Sequence, residues 1–410
     1  MLTPALLLLC ALAAPALASP GGGATVPARL HAAGADGVLR FSPDVALDGG
    51  SDWSGVVDPV GLAFGPGGRL WVSSGNADAI LVLDDKGNTV ATLGLGTPLS
   101  DPGGLAFGPN GELYVASTGS DEVLVFSAAG LPVGALDGGG LLDDPVDLVV
   151  AADGHLLVAC SAVPSIVELD PSGAVVAVLG DGLLPSAPTG LALAADGRVL
   201  VSCGATDELF AIDADGAPVP GWPVTGSLDD PAGLAVGPDG VIYVASRGDG
   251  TLRGFDPAGA EVFSVEAPLG SGGGLAFAPH RFSVTVKGSL LTASGQVSIH
   301  DAGTLSLDSG AGRALLELPA GDFAAAFGTS QLSVGGVRAT MDGKGTKAES
   351  HTTSFDADPE HPGATSMHLK LRGKVDAEGR LALKGARGNL FHSSPAGVFR
   401  GTVKTKKALP

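Results

Sequence analysis

Five times along this chain the same stretch returns. Asp58-Pro59, Asp101-Pro102, Asp144-Pro145, Ala187-Pro188 and Asp230-Pro231 each open a run such as DPVGLAFGPGGRLWVSS or DPGGLAFGPNGELYVAS, and each step is 43 residues. A fixed period of this size means one supersecondary unit stacked many times, every copy burying the apolar face of its neighbour.

Within a unit the text resolves into four short strands. Between Asp101 and Asp143 these are GLAF (104–107), LYVAS (113–117), VLVF (123–126) and LPVGAL (131–136), separated by the turn and loop sequences GPNG, GSDE and SAAG. Pro and Gly stand where turn dihedrals require them. Four strands in 43 residues make a propeller blade, and no stretch carries the 3.6-residue period of a helical repeat.

The blades can be counted. GLAF-type strands begin at Gly61, Gly104, Asp147, Gly190, Gly233 and Gly274, whereas LYVAS-type strands begin only near Leu70, Leu113, Leu156, Val199 and Ile242. The missing one lies upstream, where LHAAGADGVLRF (30–41) matches YVASRGDGTLRGF (243–255) with one residue deleted. The expectation is an all-β chain with a six-bladed β-propeller over residues 26–279. Its N- and C-terminal strands pair to close the ring, which removes an open edge.

After Pro279 the period ends, yet residues 281–410 still read as β. Met367, Leu369 and Leu371 alternate with His368, Lys370 and Arg372, and DAEG (376–379) reads as a hairpin turn. This predicts an antiparallel β-sandwich or barrel-like C-terminal domain with one polar face.

Charge divides the chain at the same place. Residues 1–280 hold 7 Lys+Arg against 32 Asp+Glu, a net of −25, and residues 281–410 hold 16 against 11, a net of +5. An acidic repeat region argues against nucleic acid as a partner, because phosphates would be repelled. The first 18 residues, MLTPALLLLCALAAPALA, join an apolar run to the small-x-small site Ala16-Leu17-Ala18. They read as a secretory signal peptide cleaved after Ala18, which places the protein outside the cytoplasm, secreted or periplasmic. No other segment is long and apolar enough for a transmembrane helix. Cys160 and Cys203 are again 43 apart. Equivalent atoms of adjacent second strands in a six-fold ring lie beyond the Cα distance of about 7 Å that a disulfide tolerates, so two unpaired buried thiols are expected.

The repeat DPxGLAFGPDGxLYVAS…VLVFDxxG resembles NHL-type repeats and the related gluconolactonase-like propellers over about residues 26–279. The resemblance implies a functional mouth at the Asp-Pro ends of the innermost strands. In the lactonase-like relatives it also implies calcium ligands next to the first-strand Pro. Here the residues after that Pro are Val60, Gly103, Val146, Thr189, Ala232 and, by register, Gly273, none a carboxylate or amide. A hard cation wants about six oxygens or more. Peptide-amidating lyases also resemble this fold and bind zinc through three His, whereas this repeat region offers His31 and His155, with His280 at its border.

Several residues remain as candidates. Five first strands begin with Gly, because side chains would clash where six strands crowd the axis. Asp147 is the exception, read either as a ligand contact in the channel or as an Asp satisfied by nearby backbone N–H groups or water. Asp58, Asp101, Asp144 and Asp230 form a pseudo-symmetric set, read either as a negative rim for basic partners or as turn caps through their own side chains. Arg247 either clamps an anion or pairs with Asp249 or a rim carboxylate. Lys370, Arg372, Lys374 and Lys384, sharing one hairpin face with Lys404, Lys406 and Lys407 beyond, offer contact with an anionic polymer or with the acidic propeller; a solvated polar face is the alternative. The segment 349–363, with His351, Asp356, Asp358, Glu360 and His361, has no metal-loop spacing. The sequence therefore points to a non-enzymatic binding scaffold that needs no cofactor and takes a protein or small-molecule ligand at the mouth. A lactonase- or lyase-like propeller with a non-standard channel site is the alternative.

Overall fold

The computed structural model describes residues 29–408, apart from 36, 42–44, 46, 48–52, 66–67, 109–110, 152, 195, 238–239, 293–294, 309–312, 318–330, 335–339, 342–346, 354–364, 376–380 and 395–396. Residues 1–18, read as a signal peptide, residues 376–379, read as a turn, and Asp356, Asp358, Glu360 and His361 therefore lie outside the described residues.

The repeats form a six-bladed β-propeller. Blades 2, 3, 4 and 6 are four-stranded meanders whose innermost strands are Pro59–Phe64, Pro102–Phe107, Pro145–Val150 and Pro231–Val236. Blade 1 takes its innermost strand, Leu275–Phe277, from the far end of the repeats. That strand pairs antiparallel with Leu30–Gly34 in the register Leu30 to Phe277, His31 to Ala276 and Ala32 to Leu275. The ring is thus closed as the sequence predicts.

Blade 5 departs from the predicted four strands. It has Pro188–Leu193, Val199–Cys203 and Glu208–Ile212, and the next segment makes only two isolated bridges, Leu209 to Val224 and Ile212 to Pro218. That segment reads APVPGWPV (217–224). Pro has no N–H to give a ladder, so Pro218, Pro220 and Pro223 reduce a strand to bridges.

Packing follows strand alternation. The second strands are buried along their whole length, for example Leu113–Ser117 and Leu156–Cys160. Their side chains fill the space between blades. One core cluster joins Trp71, Ile80 and Val82 of blade 2 to Leu105, Leu113 and Phe126 of blade 3, and equivalent clusters occupy the other blade junctions. The fourth strands lie outermost, with Val133 and Val176 exposed.

The C-terminal strands form one antiparallel sheet, nine-stranded among the described residues. Across it run Gln331–Val334, Arg313–Glu317, Gly295–Asp308, His280–Thr292, Gly397–Ala408, Leu381–Ser394, Thr365–Val375, Lys347–Thr353 and Thr340–Met341. The first of these also approaches Thr365–Val375, so the sheet curls towards itself. No helix among the described residues is long and apolar enough to cross a membrane.

Candidate functional site

The six innermost strands converge on the axis and enclose a cavity of about 250 Å³. Glycine makes this approach possible. A Cβ on Gly61 would stand 2.6 Å from the Gly103 carbonyl oxygen, and one on Gly233 would stand 2.3 Å from that of Gly273. Backbone cannot yield to such contacts, so these positions exclude every other residue. The remaining lining is almost wholly aliphatic or aromatic, with Val60, Val146 and Thr189 near the mouth and Phe64, Phe107 and Phe277 at the far end.

Asp147 is the one ionisable side chain among the described lining residues. It is half-buried, away from the outer surface, and lines the channel. One carboxylate oxygen accepts the Leu148 N–H at 2.9 Å, and the other accepts the Leu191 N–H at 2.7 Å. Burial pushes its pKa up to about 6, against the opposing pull of those two hydrogen bonds. Room for the carboxyl exists because its neighbour is Gly104, whose Cβ would fall 1.8 Å from the carboxylate oxygen. Leu191 belongs to blade 5, so the carboxylate spans two blades. The reading of Asp147 as an Asp satisfied by backbone fits this geometry.

Among the described residues, the side chains of Asp58 and Asp230 bond Ser271 and Arg247 rather than their own turns. Asp58, Asp101, Asp144 and Asp230 adopt left-handed backbone, with φ of 49°, 47°, 50° and 49°. Asp tolerates that region better than most residues. The cap comes from a second set, in the loops between second and third strands. Asp78 accepts the Asp101 N–H at 2.7 Å, Asp121 that of Asp144 at 2.9 Å, and Asp207 that of Asp230 at 2.7 Å. Each carboxylate ties a blade to the start of the next. The sequence carries the signal, since each acceptor stands 23 residues before its donor. Where the acceptor position is Pro164, the donor position is Ala187, and Ala187 is not left-handed.

Arg247 pairs with rim Asp230 at 2.8 Å, whereas Asp249 pairs with Arg253. Its other amino group donates to the Ser271 carbonyl, and the Ser271 hydroxyl donates to the Asp58 carboxylate. Ser271 sits in the Gly-rich linker that brings the chain back to blade 1. A Cβ on Gly272 would lie 2.2 Å from the Val60 Cα, so the linker is pressed against the mouth. Arg247 therefore fastens the closing linker and is not a free anion clamp. Asp101 and Asp144 are exposed. The carboxylate oxygens of Asp121, Asp143 and Asp144 lie within 4.8 Å of one another, all on exposed residues. Three exposed carboxylates, one already committed to an N–H, supply fewer oxygens than a hard cation wants.

The histidines do not gather. His31 is buried in blade 1 against Trp53 and Phe64, with ring centroids 5.3 and 5.0 Å away. Burial, with nearby Arg40, drives its pKa down to about 3. His155 immediately precedes the second strand of blade 4, at the end away from the mouth, and its Nδ1 lies 2.7 Å from Glu168, which raises its pKa. His280 begins the first strand of the C-terminal sheet. Cys160 and Cys203 are free and buried, and burial pushes each thiol up to about 11. A thiol held neutral in this way is a poor nucleophile.

On the C-terminal sheet, Lys370, Arg372 and Lys374 occupy alternate positions of Thr365–Val375. Lys384 pairs with none of them. The ladder slips between Arg372–Gly385 and Gly373–Leu383, which leaves Lys384 as the extra residue of a bulge. The residue registered against Lys370 is Arg387.

No protein-family model matches the chain, and no curated protein does. Among solved structures, a nidogen/laminin complex is similar at 17% identity and a TM-score of 0.52, covering 61% of this chain and 98% of that one. A streptogramin B lyase is similar at 12% identity and a TM-score of 0.43, covering 85% and 94%. A protein of unknown function from Bacteroides caccae is similar at 16% identity and a TM-score of 0.49, covering 62% and 99%. The first likeness speaks to fold alone, and the other two carry no argument.

Proposed function

We propose that this protein is a binding scaffold that works outside the cytoplasm from the mouth face of its propeller. In this reading residues 1–18 are removed on export, residues 26–279 form the platform, and residues 281–410 form a second, β-rich unit. The mouth takes a partner that presents cations, and Asp101 and Asp144 are its principal contacts. Asp58, Asp230 and Arg247 contribute by holding the closing linker in shape, and Asp147 serves as an internal tie.

One observation carries this reading. The carboxylate that lines the channel is spent on two backbone N–H groups, whereas Asp101 and Asp144 of the rim have left-handed backbone and are exposed. Fixed, outward-facing anions steer and orient a cationic partner.

The test measures binding of an oligolysine peptide to the full chain and to Asp101→Asn/Asp144→Asn, beside a lactone hydrolysis screen. Weaker binding by the double variant, with a shallower salt dependence and no turnover, is the expected outcome. Equal binding by both proteins, or turnover that depends on Asp147, would overturn the scaffold reading.

A further inference from the structure

The C-terminal sheet carries a row of like charges. Lys370 is registered against Arg387, and Arg387 against Lys404. Directly paired residues of an antiparallel sheet stand on one face, with strands about 4.8 Å apart. Three cations therefore occupy adjacent strands within about 10 Å. On the same face Lys347 is registered against Arg372. Like charges directly opposite destabilise a sheet. Two such juxtapositions in one row and a third beside it are a standing cost.

The neighbouring rows extend this face. One runs His300–Lys287–Thr402–Asn389–His368–His351, and the next runs Ser298–Ser289–Arg400–Phe391–Ser366–Thr353. Glu349, opposite Lys370, is the single acid in these rows. Lys287, His300, Arg400, Thr402 and Lys404 are exposed, whereas Thr285, opposite Lys404 in the same row, is buried. Asp301, one position out of phase, is buried.

We infer that this face is a docking surface for a linear anionic polysaccharide. The charge is complementary to sulfate or carboxylate groups carried along a chain. The flanking rows are Ser, Thr, Asn and His, which give and take hydrogen bonds as sugar hydroxyls require. Nucleic acid is disfavoured because, besides the imidazoles, Phe391 is the one ring in these rows on which a base could stack. A lipid surface is disfavoured because no set of apolar residues on this face could insert.

The test uses the full chain, with dextran sulfate as the probe and uncharged dextran as the control. Lys370→Gln/Arg387→Gln/Lys404→Gln should lower affinity for dextran sulfate at least tenfold at low salt. It should also make the salt dependence shallower, by about 2 in the slope of log K against log salt, because fewer counterions are released. Lys370→Arg/Arg387→Lys/Lys404→Arg keeps the charge and should bind as the wild type does, which separates loss of contact from loss of fold. Asp101→Asn/Asp144→Asn should leave this binding unchanged, so its outcome is independent of the mouth. An unchanged slope in the Gln variant would sink the proposal, as would equal binding of uncharged dextran. So would binding confined to phosphatidylglycerol vesicles or single-stranded DNA, or a self-association that the Gln variant abolishes.

Discussion

Blades 3 and 4 share a strand plan but are joined to their successors in different ways. Blade 3 reaches blade 4 from the rim, where Asp121 accepts the Asp144 N–H. Blade 4 has Pro164 at the acceptor position, and blade 5 begins at Ala187, so that rim tie is gone. At this junction Asp147 reaches from the innermost strand of blade 4 to the Leu191 N–H of blade 5. At this junction the break in the glycine pattern coincides with the break in the aspartate pattern, and a tie at the axis stands where the rim tie is missing. The axial tie is costlier, because a carboxylate inside the protein is desolvated whereas one at the rim is not.

Crowding at the axis gives the largest effect. Gly104→Ala should destabilise the propeller by about 3 kcal/mol, read from denaturant midpoints, because the new methyl meets the Asp147 carboxylate and Cα. Gly104→Ala/Asp147→Gly should recover part of that loss. No recovery would mean that the two sites do not couple as the geometry requires.

Titration of Asp147 comes next. Its folded pKa, about 6, lies above the ordinary carboxylate value, so folding favours the protonated form. Its contribution is free of penalty below about pH 4. It declines as pH rises to about 6 and is level above that, by an amount on the order of 3 kcal/mol. The difference in stability between wild type and Asp147→Asn, measured from pH 4 to 7, should follow that curve. A flat difference would show that the carboxyl is not buried as described.

Removing a rim tie should cost less. Asp121→Ala or Asp207→Ala should lose about 1 kcal/mol, the usual loss for a side chain that accepts a backbone N–H. Any change in mouth binding should be read alongside it. The smallest effect tests this junction itself. Pro164→Asp/Ala187→Asp installs the rim tie between blades 4 and 5, and it should soften the penalty of Asp147→Ala by several tenths of a kcal/mol while changing the parent little.

Much of this molecule was legible in the chain. The period gave the blade, and the displaced LHAAGADGVLRF segment gave the closure seen between Leu30–Gly34 and Leu275–Phe277. The crowding glycines were legible because only backbone fits where strands meet. The fourth strand of blade 5 was misread, because the period outweighed the three prolines inside it. The partners of the rim N–H groups were not legible, because each acceptor stands 23 residues away, in the loop of the preceding blade. Lys384 was grouped with Lys370 because alternation is visible in sequence and a bulge is not.

The sequence by itself determined the repeat, the blade count, the closing strand and the places where only glycine fits. Each follows from local periodicity or from volume, and both are written along the chain. Tertiary structure alone decided which N–H each carboxylate accepts, that Arg247 fastens the closing linker, and that Lys370, Arg387 and Lys404 stand in one row. Those outcomes depend on register and on contacts between blades, which the linear order of residues does not contain.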